Sequence, residues 1–165
     1  MKLVYTLIVA PTLLLLSTAL ANPISDAQQT ARGSLYGTGQ GLAAAVVMVT
    51  RPNRVERVRA TSETGSFERW YFAKKGLRVV VLKFQGNDFV LPDEVEVTSQ
   101  ASLRNIDHDF PTMKREDLIA TYGAPDSQTA STLHYNGLSE ICSDSMDIAL
   151  KDEKIISIKW NFCVD

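Results

Sequence analysis

The chain is poor in the side chains that carry acid–base, nucleophilic and metal chemistry. It has two histidines and two cysteines in 165 residues. Zinc takes four ligands, or three and a water, and no histidine lies in the segment between Cys142 and Cys163. No second histidine stands at helical i+4 spacing from His108 or His134. Nucleophile signatures are also missing: there is no Gly-x-Ser-x-Gly, and no Ser-x-x-Lys on a convincing helix. Two histidines leave few choices for a general base. A basic excess is lacking too, with 17 Lys and Arg against 19 Asp and Glu. Nucleic-acid binding asks for clustered positive charge, so it is not expected. These absences predict no enzyme, no catalytic residues, no metal and no cofactor.

One long apolar run is present, at the start. Lys2 gives a minimal positive region, Leu3 to Leu16 is almost continuously apolar, and Ala19-Leu20-Ala21 is a small-x-small cleavage pattern. That is the layout of a secretory leader. Pro11 interrupts the run, which is short for a bilayer span of about 20 residues. Cleavage after Ala21 is therefore expected, leaving residues 22–165 as one periplasmic or secreted domain with possible halves 22–104 and 105–165. No cysteine stands at the cleavage point to accept a lipid. Exported space is oxidising, so Cys142 and Cys163 are expected to form a structural disulfide. It would close a loop of about 20 residues, stabilising by roughly 3 kcal/mol on the chain-entropy estimate. Two free thiols are the alternative; a reactive pair would prefer Cys-x-x-Cys spacing.

Periodicity predicts an α+β chain built on an antiparallel sheet, with one or two short helices packed on one face. The clearest unit is a terminal hairpin. Met146, Ile148 and Leu150 share one face of its first arm; Ile156, Ile158, Trp160 and Phe162 share the matching face of the second. A four-residue turn, 151–154, joins them. Val55 to Thr61 alternates, Phe67 to Phe72 is aromatic and strand-like, and Leu77 to Phe84 reads as a central strand. Val90 to Thr98 places Val95 and Val97 inward, and Leu133 to Tyr135 makes a short strand. Leu103 to Phe110 reads as a polar connection. Ser25 to Ser34 suits a short helix capped by Ser25, while Leu42 to Met48 fits helix or buried strand. A firm helix follows Thr112 as its cap, with Glu116 and Asp117 early, Leu118, Ile119 and Tyr122 on one side, and Gly123 and Pro125 as the stop. Leu35-Tyr36-Gly37 echoes Thr121-Tyr122-Gly123, and paired strands follow each, so an internal duplication is considered.

The stretch Thr112 to Asp126, with its Leu-x-x-x-Tyr-Gly-x-Pro stop, followed by Tyr135 and a hairpin, resembles the SmpA/OmlA family. These small envelope proteins include the small lipoprotein of the outer-membrane barrel-assembly machinery. The same unit, when duplicated, looks like the fold of the β-lactamase inhibitor protein. The resemblance covers about the last third of the chain. It implies a scaffold for binding other proteins, with no catalytic residues to carry over. The missing acylated cysteine sets this chain apart from the lipid-anchored members.

Five constellations remain to be weighed. Asp107-His108-Asp109 is either an acid–base or metal cluster or, as expected of alternating directions in extended chain, a solvated loop. Gly37-Thr38-Gly39-Gln40-Gly41 lacks the spacing of a phosphate loop and reads as a flexible turn. Arg51, Arg54, Arg57 and Arg59, with Lys74, Lys75 and Arg78 downstream, either grip an anionic partner or form a solvent-facing surface paired with Glu56, Glu63 and Glu68. In Trp70-Tyr71-Phe72 the outer two rings are expected in the core, and exposure of Tyr71 is left open. Asp88, Asp93, Glu94 and Glu96 read as a solvated edge. The expected partner-binding set is Arg57, Arg59, Tyr71 and Arg78. The expected partner is a protein of the cell envelope. The expected role is an inhibitor or immunity-type protein; the alternative is an accessory factor in outer-membrane assembly or integrity. A small cell-wall hydrolase or a carrier of an apolar ligand ranks lower.

Overall fold

The computed structural model describes residues 24–58, 66–86, 89–107, 109–137 and 143–163. Eight antiparallel strands form one sheet, and helices pack on one of its faces, giving an α+β fold. The strands are β1 (Arg54–Val58), β2 (Phe67–Lys74), β3 (Leu77–Phe84), β4 (Val90–Val97), β5 (Ser127–Gln128), β6 (Thr132–Asn136), β7 (Ser145–Lys151) and β8 (Lys154–Asn161). Their spatial order is β1-β2-β3-β4-β8-β7-β6-β5. Two consecutive four-stranded meanders thus meet along β4 and β8. Each follows a helix: α1 (Asp26–Val49) precedes the first, and α2 (Gln100–Ile106), a 3₁₀ turn (Phe110–Thr112) and α3 (Arg115–Tyr122) precede the second.

The largest departure from the sequence reading is α1. Where a short helix, a flexible Gly37–Gly41 turn and an ambiguous apolar segment were expected, a single helix of 24 residues runs through all three. Ser25 starts it with a reciprocal capping box: Ser25 Oγ accepts from the Gln28 amide, and Gln28 Oε1 accepts from the Ser25 amide. Arg32, Leu35, Gly39 and Ala43 form its buried stripe, at the three- and four-residue spacing of one helix face. Gly39 is there for proximity rather than for turning. A β-carbon on it would lie 2.9 Å from Cγ and Cδ2 of Trp160 and 3.1 Å from Phe162. The missing side chain lets the helix axis settle onto β8.

Three smaller corrections have local causes. Leu103 is fully buried, so the 103–110 stretch is anchored as α2 and the 3₁₀ turn rather than as a polar connection. Thr112 closes that 3₁₀ turn instead of capping a helix. The cap of α3 falls two residues later, where the Lys114 amide donates to Asp117 Oδ2. In the terminal hairpin Lys151 pairs with Lys154, so the turn has two residues, Asp152 and Glu153, both at positive φ, as tight hairpins favour. A bulge between Ala149 and Leu150 then shifts the register. It buries Ile155 in place of the expected Ile156, which is exposed.

One continuous core fills the space between helices and sheet. Val79, Val81, Val95 and Val97 come from the first meander; Leu133, Tyr135, Met146, Ile148, Ile158, Trp160 and Phe162 come from the second half. Leu35 and Ala43 of α1, Leu103 of α2, Phe110, and Leu118 and Tyr122 of α3 close it. Phe72 belongs to it and Trp70 packs half-buried against it. Arg32 is the polar staple of this layer. Its guanidinium donates to the carbonyls of Tyr122 and Ala124 and lies 4.8 Å over the Tyr135 ring. It thereby occupies the carbonyls left free at the end of α3, just where Gly123 turns the chain with φ +77°.

Candidate binding face

Because side chains alternate along each strand, the residues left over from the core share the other face of the sheet. All the described helices contribute to the core side, so among the described residues no helix covers this second face. Val80 and Leu82 of β3 are buried on it, apart from the main core. In the strand register Val80 lies between Tyr71 and Glu94, and Leu82 lies beside Arg69, polar side chains that are tied to others of this face.

The ties follow strand register. Arg78 lies opposite Glu96, Glu96 opposite Lys159, Lys159 opposite Asp147, and Asp147 opposite His134. The sign of charge therefore alternates across five neighbouring strands. Arg78 Nε is 3.1 Å from Glu96 Oε2, and its Nη2 also pairs with Glu94. Lys159 reaches Glu94 at 2.7 Å. Asp147 Oδ1 is 2.6 Å from His134 Nδ1, and His134 Nε2 is 2.8 Å from Asn136 Oδ1. With an acceptor at each ring nitrogen, the imidazole fits best as the doubly protonated cation. The Asp147 hydrogen bond is the main cause of its raised pKa; its charge, Asn136 and Asp126 add to it, and partial burial opposes it. Each opposite-charge cross-strand pair is worth about 0.2–1 kcal/mol.

Beside this row, the Tyr71 hydroxyl donates to Glu56, and the Arg54 guanidinium, itself paired with Glu56, lies 5.1 Å over the Tyr71 ring. Arg69 pairs with Asp93 at 3.2 Å. Burial pushes the Asp93 carboxyl above its ordinary range despite that arginine. Phe67 and Phe84 pack ring to ring, 5.8 Å between centroids. Asp93, Glu94 and Glu96 are thus the anionic half of a mid-sheet lattice rather than a solvated edge; Asp88 lies outside the described residues.

Of the expected partner-binding set, Tyr71 and Arg78 stand together on this face. Arg57 does not join them. It sits opposite Glu68 on the helix side of the sheet, is 83 % exposed, and pairs with Glu68 at 3.3 Å. Glu68 also accepts from the Trp70 indole, which chiefly lowers its pKa. Arg59 lies outside the described residues, as do Glu63, His108 and Cys142. Asp107 ends α2 on the helix side, away from His134, so the two do not converge. Asp109 bonds through its own backbone to Asp107 Oδ1. Among the described residues no group of three His, Cys, Asp or Glu side chains is arranged to hold a metal.

Sequence reading missed Asp147, Lys159, Asn136 and Asp144. The first two occupy the polar phase of the terminal hairpin, opposite Ile148 and Trp160, and that phase was the available signal. Asp144 is buried; its carboxylate accepts from the Tyr36 hydroxyl at 2.6 Å and from the Cys163 amide at 2.5 Å. Burial, with the Asp144 carboxylate beside it, raises the Tyr36 phenol far above its ordinary value. No polar pattern in the sequence marked that aspartate. Compared with known proteins, the chain matches no family model, no curated protein and no solved structure at a significant level.

Proposed function

We propose that this chain is an exported protein-binding module of the bacterial cell envelope, of the inhibitor or immunity type, and that it docks its partner on the face of the sheet opposite the described helices. The observation that carries this reading is the lattice itself. Arg78, Glu94, Glu96, Lys159, Asp147 and His134 hold one another in place, so little side-chain freedom remains to be lost on association. An alternating charge pattern also selects a partner of the opposite pattern and repels others. Tyr71 and Arg69 add the aromatic and guanidinium groups that anchor interfaces.

Export is supported by the leader at Met1 to Ala21. The Cys142–Cys163 disulfide is supported by Asp144, which grips the Cys163 amide two positions after Cys142, and by the lack of a free cysteine among the described residues. Reduction of the folded chain should then lower its melting temperature, and an unchanged melting curve removes the disulfide from the reading. The SmpA/OmlA resemblance is supported by α3, its Gly123-x-Pro125 stop and the meander that follows. It also favours the second reading, an accessory role in outer-membrane assembly.

The test is affinity capture from an envelope extract with the mature chain as bait. A Tyr71→Ala, Arg78→Glu variant should lose the partner, whereas Arg57→Glu, on the opposite face, should retain it. Equal recovery with both variants refutes docking on the open face. Inhibition of a captured enzyme separates the inhibitor reading from the assembly reading.

A further inference from the structure

A second site lies on the other side of the sheet, where α1 ends above the β2–β3 turn. A cleft of about 530 Å³ opens there, within the range of small-ligand sites. Its walls are apolar: Val46 and Val49 of α1, Phe72 of β2, and Leu77 and Val79 of β3. Arg51, Lys74 and Lys75 also line it, and no acidic residue does.

These three cations differ from their neighbours. Arg54, Arg57, Arg69 and Arg78 each pair with a carboxylate, whereas Arg51, Lys74 and Lys75 have no acidic partner among the described residues. They are exposed, as is Val49 at the cleft mouth, with 78 % of its surface open. The turn that carries the lysines is fixed. Lys74 pairs with Leu77 across a two-residue loop, and Gly76 packs so closely on Ser99 that a β-carbon would approach it to 2.6 Å. Gly76 O also accepts from the Thr98 amide at 2.7 Å.

We infer that this cleft binds a single-chain anionic amphiphile, its alkyl chain against Val46, Val49, Phe72 and Leu77 and its carboxylate or phosphate head among Arg51, Lys74 and Lys75. An extended peptide fits less well, because β2 is already paired on both sides and the Ala73 amide donates to Asn53 Oδ1 at 2.6 Å. No strand ladder is open there to receive one. This site is separate from the proposed docking face and stands without it.

The experiment is equilibrium dialysis of the mature chain with labelled hexadecanoate and with a lysophosphatidylglycerol, each below its aggregation concentration. One saturable site is expected, weakening as salt is raised. The Arg51→Glu, Lys74→Glu, Lys75→Glu variant should bind at least tenfold more weakly with its melting temperature unchanged, and Val49→Trp should compete by filling the cleft. Tyr71→Ala should bind like the parent chain. Retention of hexadecanoate alone points to free fatty acid, and retention of the lysolipid to a membrane source. Equal retention of hexadecyltrimethylammonium, unchanged affinity in the charge-reversed variant, or no saturable binding of either anion overturns the inference.

Discussion

The four glycines of α1 should respond to alanine in opposite directions, and the sign at each position tests where that helix lies. Gly33, Gly37 and Gly41 have nothing within 4 Å of an added β-carbon and keep ordinary helical φ. Alanine at an exposed helix interior is worth about 0.5–1 kcal/mol over glycine, mostly by narrowing the unfolded ensemble. The triple variant should therefore gain about 2 kcal/mol, which for a chain of this size raises the melting temperature by roughly 5 °C. Gly39 gains the same propensity term but places a methyl 2.9 Å from Trp160 Cγ and Cδ2. These atoms are at the root of a fully buried ring, so the helix rather than the ring must move. Overpacking of that kind costs about 1–3 kcal/mol, leaving Gly39→Ala destabilised by up to about 2 kcal/mol. Urea and thermal denaturation of the mature chain measure both. A destabilised triple variant would mean that residues 33–41 are not helical. A Gly39→Ala gain equal to the others would mean that the helix does not rest on Trp160.

Two further outcomes follow from polar groups. Arg32→Ala should destabilise by about 2–4 kcal/mol, since two carbonyls at the end of α3 lose a charged donor and the Tyr135 ring loses its cover. Arg32→Lys should recover less than half of this in a urea titration, because a point charge cannot serve both carbonyls in a fork. Full recovery by lysine would refute the bidentate role. For His134, the folded pKa is raised by Asp147, so the ion pair stabilises fully below the unfolded value of about 6.5. That contribution fades as pH rises through the folded value. Melting temperatures should therefore fall between mildly acidic and mildly alkaline buffer, and Asp147→Asn should flatten that slope; an unchanged slope refutes the assignment.

The parts of the fold that could be read from residues alone were those whose signal is local. The period-2 arms of β4, β7 and β8 were legible because the face turned away from the described helices leaves alternate residues polar, and β3 was legible as a short run apolar on both faces. The stop at Gly123 and Pro125 was legible because positive φ and a missing amide are properties of single residues. What escaped was decided across the sheet. Glycine at 37, 39 and 41 signals a turn until Trp160, 121 positions after Gly39, supplies the reason for a close approach. Ile155 and Ile156 are indistinguishable until the bulge opposite Leu150 chooses between them.

The charge lattice has the same origin. Arg78, Glu96, Lys159, Asp147 and His134 come from five strands separated by long stretches of chain, and only the order β3-β4-β8-β7-β6 lines them up. Along the sequence each charge is an ordinary surface residue. Across the sheet each has neighbours of opposite sign, and a one-residue slip of any strand would turn its charge into the core. The lattice therefore serves pairing first, because it specifies the register on which the buried valines and isoleucines depend. Glu94 beside Val80 and Arg69 beside Leu82 also set charge next to two apolar side chains that would otherwise extend a sticky sheet surface. The docking proposed for this face must consequently proceed by matching the lattice rather than by stripping it, which restricts the proposed partner to a surface carrying complementary charges at strand spacing.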